Sequence, residues 1–430
     1  MSPHAVQPTP GSPRLGLDFN KFAVTRNAFL PEKSPVHVLS DPYYQPWEAV
    51  GQNLARLIDD GTIHDAIRQL PILSVDKLVS EAEWRRAYTM LAFMTHAYVW
   101  GGDKPEEILP PQISVPFLKV SAHVELPPVL TYAAANLWNF TCQGGDDFSD
   151  LDKLRLCFSF TGTESESWFL LISVAMEAKA AGILQTMTTA LDAVKARDYD
   201  GVVAGLEELR RCIDSVAQLL ERMYEKCDPM TFYHRIRPFL AGSQNMAAAG
   251  LPRGVFYDEG DGRGEWRQLR GGSNGQSSLI QFFDVVLGVE HNGHGDKKHA
   301  SFHQEVREYM PGPHRRFLVQ VARMGSIREL AMVASSSETD AQKRLRDAYT
   351  AATTALTAFR QKHISIVTRY IIIPSKQPWQ GKTGKQNLAS SSSTSKDDEQ
   401  LTGTGGTALV PFLKKARDET MEAGKLQRRQ

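Results

Sequence analysis

The chain has 430 residues, 42% hydrophobic and 23% charged, the composition of a soluble globular protein with room for roughly two to three domains. Lys+Arg and Asp+Glu both number 49, so the net charge is zero; no basic face is implied, which makes nucleic acid and anionic membrane poor default partners. Four cysteines (Cys142, Cys157, Cys212 and Cys227) are spread out with no CxxC pair; they exclude a disulfide framework and read as buried or free thiols in a reducing compartment.

The amino-terminal "MSPHAVQPTPGSPRLG" is proline-rich and lacks an apolar run, so neither a secretory signal nor a transit peptide is expected. Residues 1–30 read as a disordered lead-in, and the protein as cytoplasmic. Helical patterns dominate from there. "EAEWRRAYTMLAFMTHAYVW", Glu81 to Trp100, is expected to bury Trp84, Leu91, Met94 and Tyr98 on one side. A change of composition near Phe158–Gly162 suggests a boundary between a smaller helical domain, 31–160, and a larger one, 161–430. "WFLLISVAMEAKAAGIL" is the most apolar helical stretch; Glu177 and Lys179 inside it argue for a core helix over a membrane span.

Two amphipathic helices follow, "GILQTMTTALDAVKARD" and "VVAGLEELRRCIDSVAQLLERMYEKC", divided at "YDG" with Gly201 suited to the C-cap. In "TFYHRIRPF" a helix puts Tyr233 and Arg237 on one face, which suits either a core aromatic pair with a solvated arginine or a ligand with a ring and a carboxylate. "RGGSNGQSS", Arg270 to Ser278, lacks the Lys-Ser/Thr of a P-loop; its glycines fit a tight loop or a close approach to something flat. "SLIQFFDVVLGVE", Ser278 to Glu290, is apolar on nearly every side and reads as a buried central helix. "HNGHGDKKHASFHQ" holds His291, His294, His299 and His303, but its spacing matches no common zinc motif and it reads as a solvated polar loop.

A long helix then carries the apolar stripe Leu345, Tyr349, Ala352, Leu356, Phe359, Ile366 and Tyr370, which His363 interrupts. It is expected to start at a capping box, Ser335-x-x-Glu338, and to end at Pro374. His363 is either a core histidine with one hydrogen bond or a metal or haem ligand facing a cavity; Arg360, three residues earlier, faces a haem propionate or solvent. From Ser375 to Thr402 the chain is Ser, Thr, Gly and Lys, a loop or linker ahead of the amphipathic "ALVPFLKKARDETMEAGK". Alternating strand patterns are nearly absent, so the fold is expected to be all-α. No GxSxG, HExxH or Ser-His-Asp signature supports a hydrolase.

Taken together, "FTGTESESWFLLISVAMEAKAA", "GGSNGQSSLIQFFDVVLG", "REYMPGPHRRFL", "HISIVTRYIIIP" and "GTGGT" resemble the indoleamine 2,3-dioxygenase family, most of all its fungal members, from about Pro31 to the carboxy terminus. The resemblance implies a two-domain all-α protein with haem b in the larger domain. It implies oxidation of L-tryptophan by dioxygen to N-formylkynurenine, the first step of the kynurenine route to NAD. His363 matches the proximal ligand of the haem iron, Arg360 a residue near a propionate, and Gly272 and Ser273 the loop over the haem. Tyr132, Phe169, Ser173, Phe232, Tyr233, Arg237, Ser273 and Thr407 match substrate-pocket positions, Arg237 as the carboxylate anchor and Thr407 in a mobile loop, 375–407, that closes over the substrate.

None of the matched pocket residues is a general acid or base, which suits direct attack on the indole C2–C3 bond over proton abstraction. The iron must be ferrous to bind dioxygen, so an unidentified electron donor is implied. A monomer is expected, with no nucleic acid or membrane partner. Tyr233 stands where many members carry phenylalanine, and Asn274 where vertebrate members have a small apolar residue. The alternative is a non-catalytic, myoglobin-like haem protein of the same fold, which needs neither Arg237 nor Thr407.

Overall fold

The computed structural model describes residues 17–291, 302–333, 339–379 and 409–426. Helices make up most of it, and a single apolar core runs from Val24 to Ala423. Residues 1–16 lie outside the described part, but 17–30 are folded, contrary to the disordered lead-in expected there. Phe29 and Leu30 are 1% and 0% exposed, and Phe19, Phe22 and Phe29 surround Phe317 at 5.7–5.8 Å. Burying these rings outweighs the proline-rich sequence just ahead of them.

Helix α1, Glu81–Trp100, is capped by Ser80, whose hydroxyl accepts from the Glu83 amide. It is buried on nearly its whole circumference from Arg86 onward, not on one side only. Trp84 is only partly buried and stacks on His123 at 3.9 Å. Helix α2, Pro111–His123, packs along α1. The expected boundary at Phe158–Gly162 is a tightly held crossing. Phe158 and Phe160 are buried, and the Glu166 carboxylate accepts from the Phe160 and Thr161 amides and from the Ser159 and Thr161 hydroxyls.

Helix α3, Glu164–Lys179, begins at the Thr163 cap and runs through the core, as expected. Helices α4, Ile183–Ala196, and α5, Tyr199–Glu221, pack side by side. Their division lies two residues before the expected place. Arg197 takes the left-handed conformation that ends α4, and Asp198 caps α5 by accepting from the Gly201 amide, so Gly201 is in the first turn and not at a C-cap. An aspartate two residues after a helix end is the stronger signal, because its carboxylate satisfies amides that water would otherwise serve.

The structure adds a hairpin that the helical reading passed over. Strands Val255–Gly260 and Arg263–Arg267 pair antiparallel around Asp261 and Gly262, both at positive φ (55° and 74°). That is an Asp-Gly turn between alternating residues. Ile108–Leu109 adds a parallel strand to its edge, and a two-stranded pair, Phe140–Cys142 with Leu154–Leu156, lies elsewhere. These strands are short, and the protein remains all-α.

Helix α6, Ser278–Leu287, is apolar and largely buried, and ends at Gly288 with φ 63°. Helix α7, Gly312–Ala322, lies against it. Helix α8, Asp340–Val367, is capped by Thr339, with Gln342 completing the capping box. The expected Ser335–Glu338 box lies outside the described residues, and the helix starts beyond it. Helix α9, Leu409–Ala423, packs on α8, which also packs on α5. No single helix among the described residues is long and apolar enough to cross a membrane. The four cysteines are free thiols, and burial pushes those of Cys212 and Cys227 up to about 12.

Candidate active site

A cavity of about 220 Å³ lies between α3, α6, α8 and α9. Its wall on α3 follows from helix geometry. Phe169, Ser173 and Glu177 are spaced by four, so they form one ridge about 12 Å long. The facing wall on α8 carries Phe359, Arg360 and His363, where the apolar stripe turns inward. Leu409, Phe412, Leu413 and Ala416 of α9 close another side.

Three five-residue π-helical turns supply much of the rest: Ala133–Leu137, Phe232–Ile236 and Thr368–Ile372. In each, an amide donates to the carbonyl five residues back; the Arg237 amide bonds the Phe232 carbonyl. On an α-helix Phe232 and Arg237 would sit about 140° apart. The wider turn brings both to the cavity. Tyr233, placed with Arg237 by the α-helical reading and matched to the substrate pocket, does not line the cavity. It is buried, edge-on to His234 at 4.9 Å, with the Arg237 guanidinium 5.5 Å from its ring centre.

Tyr132, Phe169, Ser173, Phe232, Arg237, Gly272, Ser273, Arg360 and His363 all line this one cavity. Thr407 lies outside the described residues, as do 380–406 of the expected loop; Ser375 belongs to a last helical turn that takes in Pro374. Of the glycines in "RGGSNGQSS", Gly271 serves the protein's own backbone: a Cβ there would collide with the Leu240 carbonyl. Ser273 opens a short turn by accepting from the Gly275 amide at 3.2 Å.

The cavity's chemistry is set by burial. Desolvation, with Arg360 adding to it, lowers the His363 pKa to about 4, so the imidazole is neutral at pH 7. Neither of its ring nitrogens has a hydrogen-bond partner among the described residues. Arg237 is 3% exposed, and desolvation lowers its pKa, yet a guanidinium remains a cation. Phe232 meets Phe169 edge-on at 4.9 Å. Arg360 Nη2 donates to Asp284 at 2.5 Å, while its Nε is buried with no partner.

Three functional groups were not anticipated. Glu177 was read only as an interruption of an apolar run. The step of four from Phe169 and Ser173 would have placed it on the same wall. Asp284 pairs with Arg360 from inside the apolar helix α6. His291, expected on a solvated loop, is instead 10% exposed at its side chain, with Nε2 3.1 Å from Asp284 and Nδ1 2.7 Å from Glu419 of α9. His294 and His299 lie outside the described residues.

The indoleamine 2,3-dioxygenase family profile matches residues 18–423. The chain belongs to the indoleamine 2,3-dioxygenase family. It is similar to an indoleamine 2,3-dioxygenase of Aspergillus nanangensis, 38% identical over 416 residues, covering 95% of this chain and 97% of the relative. It is also similar to the indoleamine 2,3-dioxygenase of Saccharomyces cerevisiae, 36% identical over 427 residues, covering 93% and 92%. A third relative, a 6-hydroxytryptophan 2,3-dioxygenase of Fusarium equiseti, is 39% identical over 399 residues, covering 92% and 95%. Indoleamine 2,3-dioxygenases are haem-dependent oxidoreductases, and the cavity fits that group. It offers a neutral imidazole without a partner, an arginine with an orphaned Nε, and walls that are otherwise mainly apolar.

Proposed function

We propose that this indoleamine 2,3-dioxygenase inserts both atoms of dioxygen into the C2–C3 bond of L-tryptophan to give N-formylkynurenine, the first step of a route to NAD. The observation that carries the reading is one cavity holding a neutral, unpartnered imidazole, His363, and a buried guanidinium, Arg237, beside an aromatic pair. Ferrous haem b, kept reduced by an electron donor, supplies dioxygen activation when bound. In this reading His363 would hold its iron, and Arg360, Gly272 and Ser273 would border it. Residues 31–160 form the smaller domain and lend Tyr132; residues 161–430 form the larger.

The chain's own residues orient the substrate and keep it dry. Arg237 holds the carboxylate as a charge-assisted pair in a site shielded from water. Phe169 and Phe232 present an edge-to-face pair against which an indole packs. Sealing the cavity with α9 excludes water from the reaction.

The test is direct. Haem-loaded protein given reductant, L-tryptophan and oxygen-18 dioxygen is expected to yield N-formylkynurenine carrying two labelled atoms. A product with one labelled atom, or none formed, overturns the reading. Running 6-hydroxytryptophan alongside decides which ring the pocket prefers. Arg237→Ala is expected to raise KM for L-tryptophan about 10- to 150-fold, the loss of one hydrogen-bonded charge, with haem content unchanged. An unchanged kcat/KM would remove Arg237 from the substrate.

A further inference from the structure

Glu177 is 1% exposed on the cavity wall, and the proposed chemistry gives it no part. Its Oε1 accepts from the Tyr132 hydroxyl at 3.0 Å and from the Ser277 hydroxyl at 2.8 Å. Its Oε2 is buried with no hydrogen-bond partner. Ser277 is the cap of α6, and the Tyr132 amide is held by Gln276 of the glycine-rich loop. Thus one carboxyl ties together two hydroxyls that line the cavity, Tyr132 and Ser277, and the loop beside them.

We propose that Glu177 is a positioning residue whose carboxyl sets the direction in which the Tyr132 hydroxyl donates, and so whether this wall offers a donor or an acceptor to the N–H groups of a bound amino-acid substrate. The tryptophan part of this rests on the function proposed above. A hydroxyl has one proton to give, so the protonation state of the carboxyl it bonds fixes its direction. With Glu177 ionised, Tyr132 donates to it and turns its lone pairs toward the cavity. With Glu177 protonated, its O–H donates to the Tyr132 oxygen, and the Tyr132 proton turns toward the cavity.

Both forms are populated near neutrality, because burial, opposed by the bonds from Ser277 and Tyr132, pushes the carboxyl up to about 7. Tyr132 is the titratable group facing it, and its own pKa is raised well above the ordinary value by burial and by the Glu177 charge. The other ionisable residues of the cavity are Arg237, Asp284, Arg360 and His363.

Carbon monoxide on the reduced, haem-loaded protein is the probe, since its stretching band reads the polarity of the wall without turnover. The band is expected to shift between about pH 6 and about pH 8, along with an infrared carboxyl band, while the Kd of L-tryptophan changes about 2- to 10-fold. Glu177→Gln is expected to abolish the carboxyl band and flatten both other profiles, and Tyr132→Phe to flatten them while keeping the carboxyl band. A purely structural role would lower Tm and leave the profiles titrating. A wild-type protein whose carbon monoxide band does not move, or a Glu177→Gln protein that keeps the wild-type shift, overturns the proposal. If Glu177→Gln fails to hold haem, Tyr132→Phe decides in the same way. Should the carbon monoxide band titrate while L-tryptophan does not bind, the positioning role stands and the substrate reading falls.

Discussion

His363→Ala is expected to strip the protein of stable haem while leaving its helices in place. His363 is the one imidazole lining the cavity among the described residues. Its nitrogens engage no protein partner there, so its removal breaks no internal bond and leaves only a gap in the wall. The imidazole is also neutral, the form that binds iron, because burial and Arg360 lower its pKa to about 4. The thioethers of Met176 and Met223 also border the cavity, but a thioether is a weaker donor than imidazole. The loss is expected to exceed the roughly 10- to 100-fold in affinity that removing an outer-shell partner costs a metal site. The measurement is the Soret band of purified His363→Ala at stoichiometric haem, beside its far-ultraviolet circular dichroism. An intact fold without the Soret band, and a band restored by added imidazole, is the expected result. A normal band with full haem content would show that His363 does not hold the iron.

How far this site was legible in the sequence depends on which geometry set each position. His363 stood out because an ordinary α-helix carries it, and the apolar stripe of α8 repeats at α-helical spacing; the structure keeps that stripe on the interior. Phe169 and Ser173 likewise sit on a regular helix. Phe232 and Arg237 do not. Their common face exists only because a π-turn widens the helix there, and spacing rules built on 3.6 residues per turn choose Tyr233 instead. The resemblance to the family pointed to Phe232 and Arg237, which line the cavity, and also to Tyr233, which does not.

The polar groups were harder to read. Glu177, Asp284 and His291 each sit in or beside an apolar run, and each is tied into the fold by a partner far along the chain. Ser277 lies 100 residues from Glu177, and Glu419 lies 128 from His291. Local pattern holds no record of such pairs. The Asp261-Gly262 hairpin is the opposite case: its signal was local, and strong helical patterns on both sides masked it.

Asp284→Asn is expected to destabilise the protein by about 3–5 kcal/mol and to loosen α9, because one partner of a buried charge cluster is removed while the others stay buried. The Asp284 side chain is 6% exposed, Arg360 11%, His291 10% and Glu419 16%, so solvent screens the cluster little. The cluster joins α6, the turn at His291, α8 and α9, the elements that frame one side of the cavity. Glu419→Gln removes only the outermost contact and is expected to cost about 1 kcal/mol.

The cluster also predicts a pH dependence. For His291, desolvation is the largest influence and lowers the pKa, but the bonds and charges of Asp284 together with the bond to Glu419 outweigh it, and the net shift is upward. A histidine with a raised folded pKa stabilises fully below its unfolded value of about 6.5, and that contribution disappears as pH rises through the folded value. Hydrogen exchange across 409–423 is therefore expected to be slowest in mildly acidic buffer and to quicken as pH climbs past that point, once corrected for the intrinsic rise of exchange with pH. In His291→Gln the corrected profile is expected to be flat. Asp284→Asn is expected to quicken exchange there at every pH, lower Tm, and speed haem loss, since Leu409, Phe412, Leu413 and Ala416 of α9 form part of the cavity wall. Unchanged exchange at α9 together with an unchanged Tm in Asp284→Asn would mean that apolar packing on α8, and not the charge cluster, holds this helix over the site.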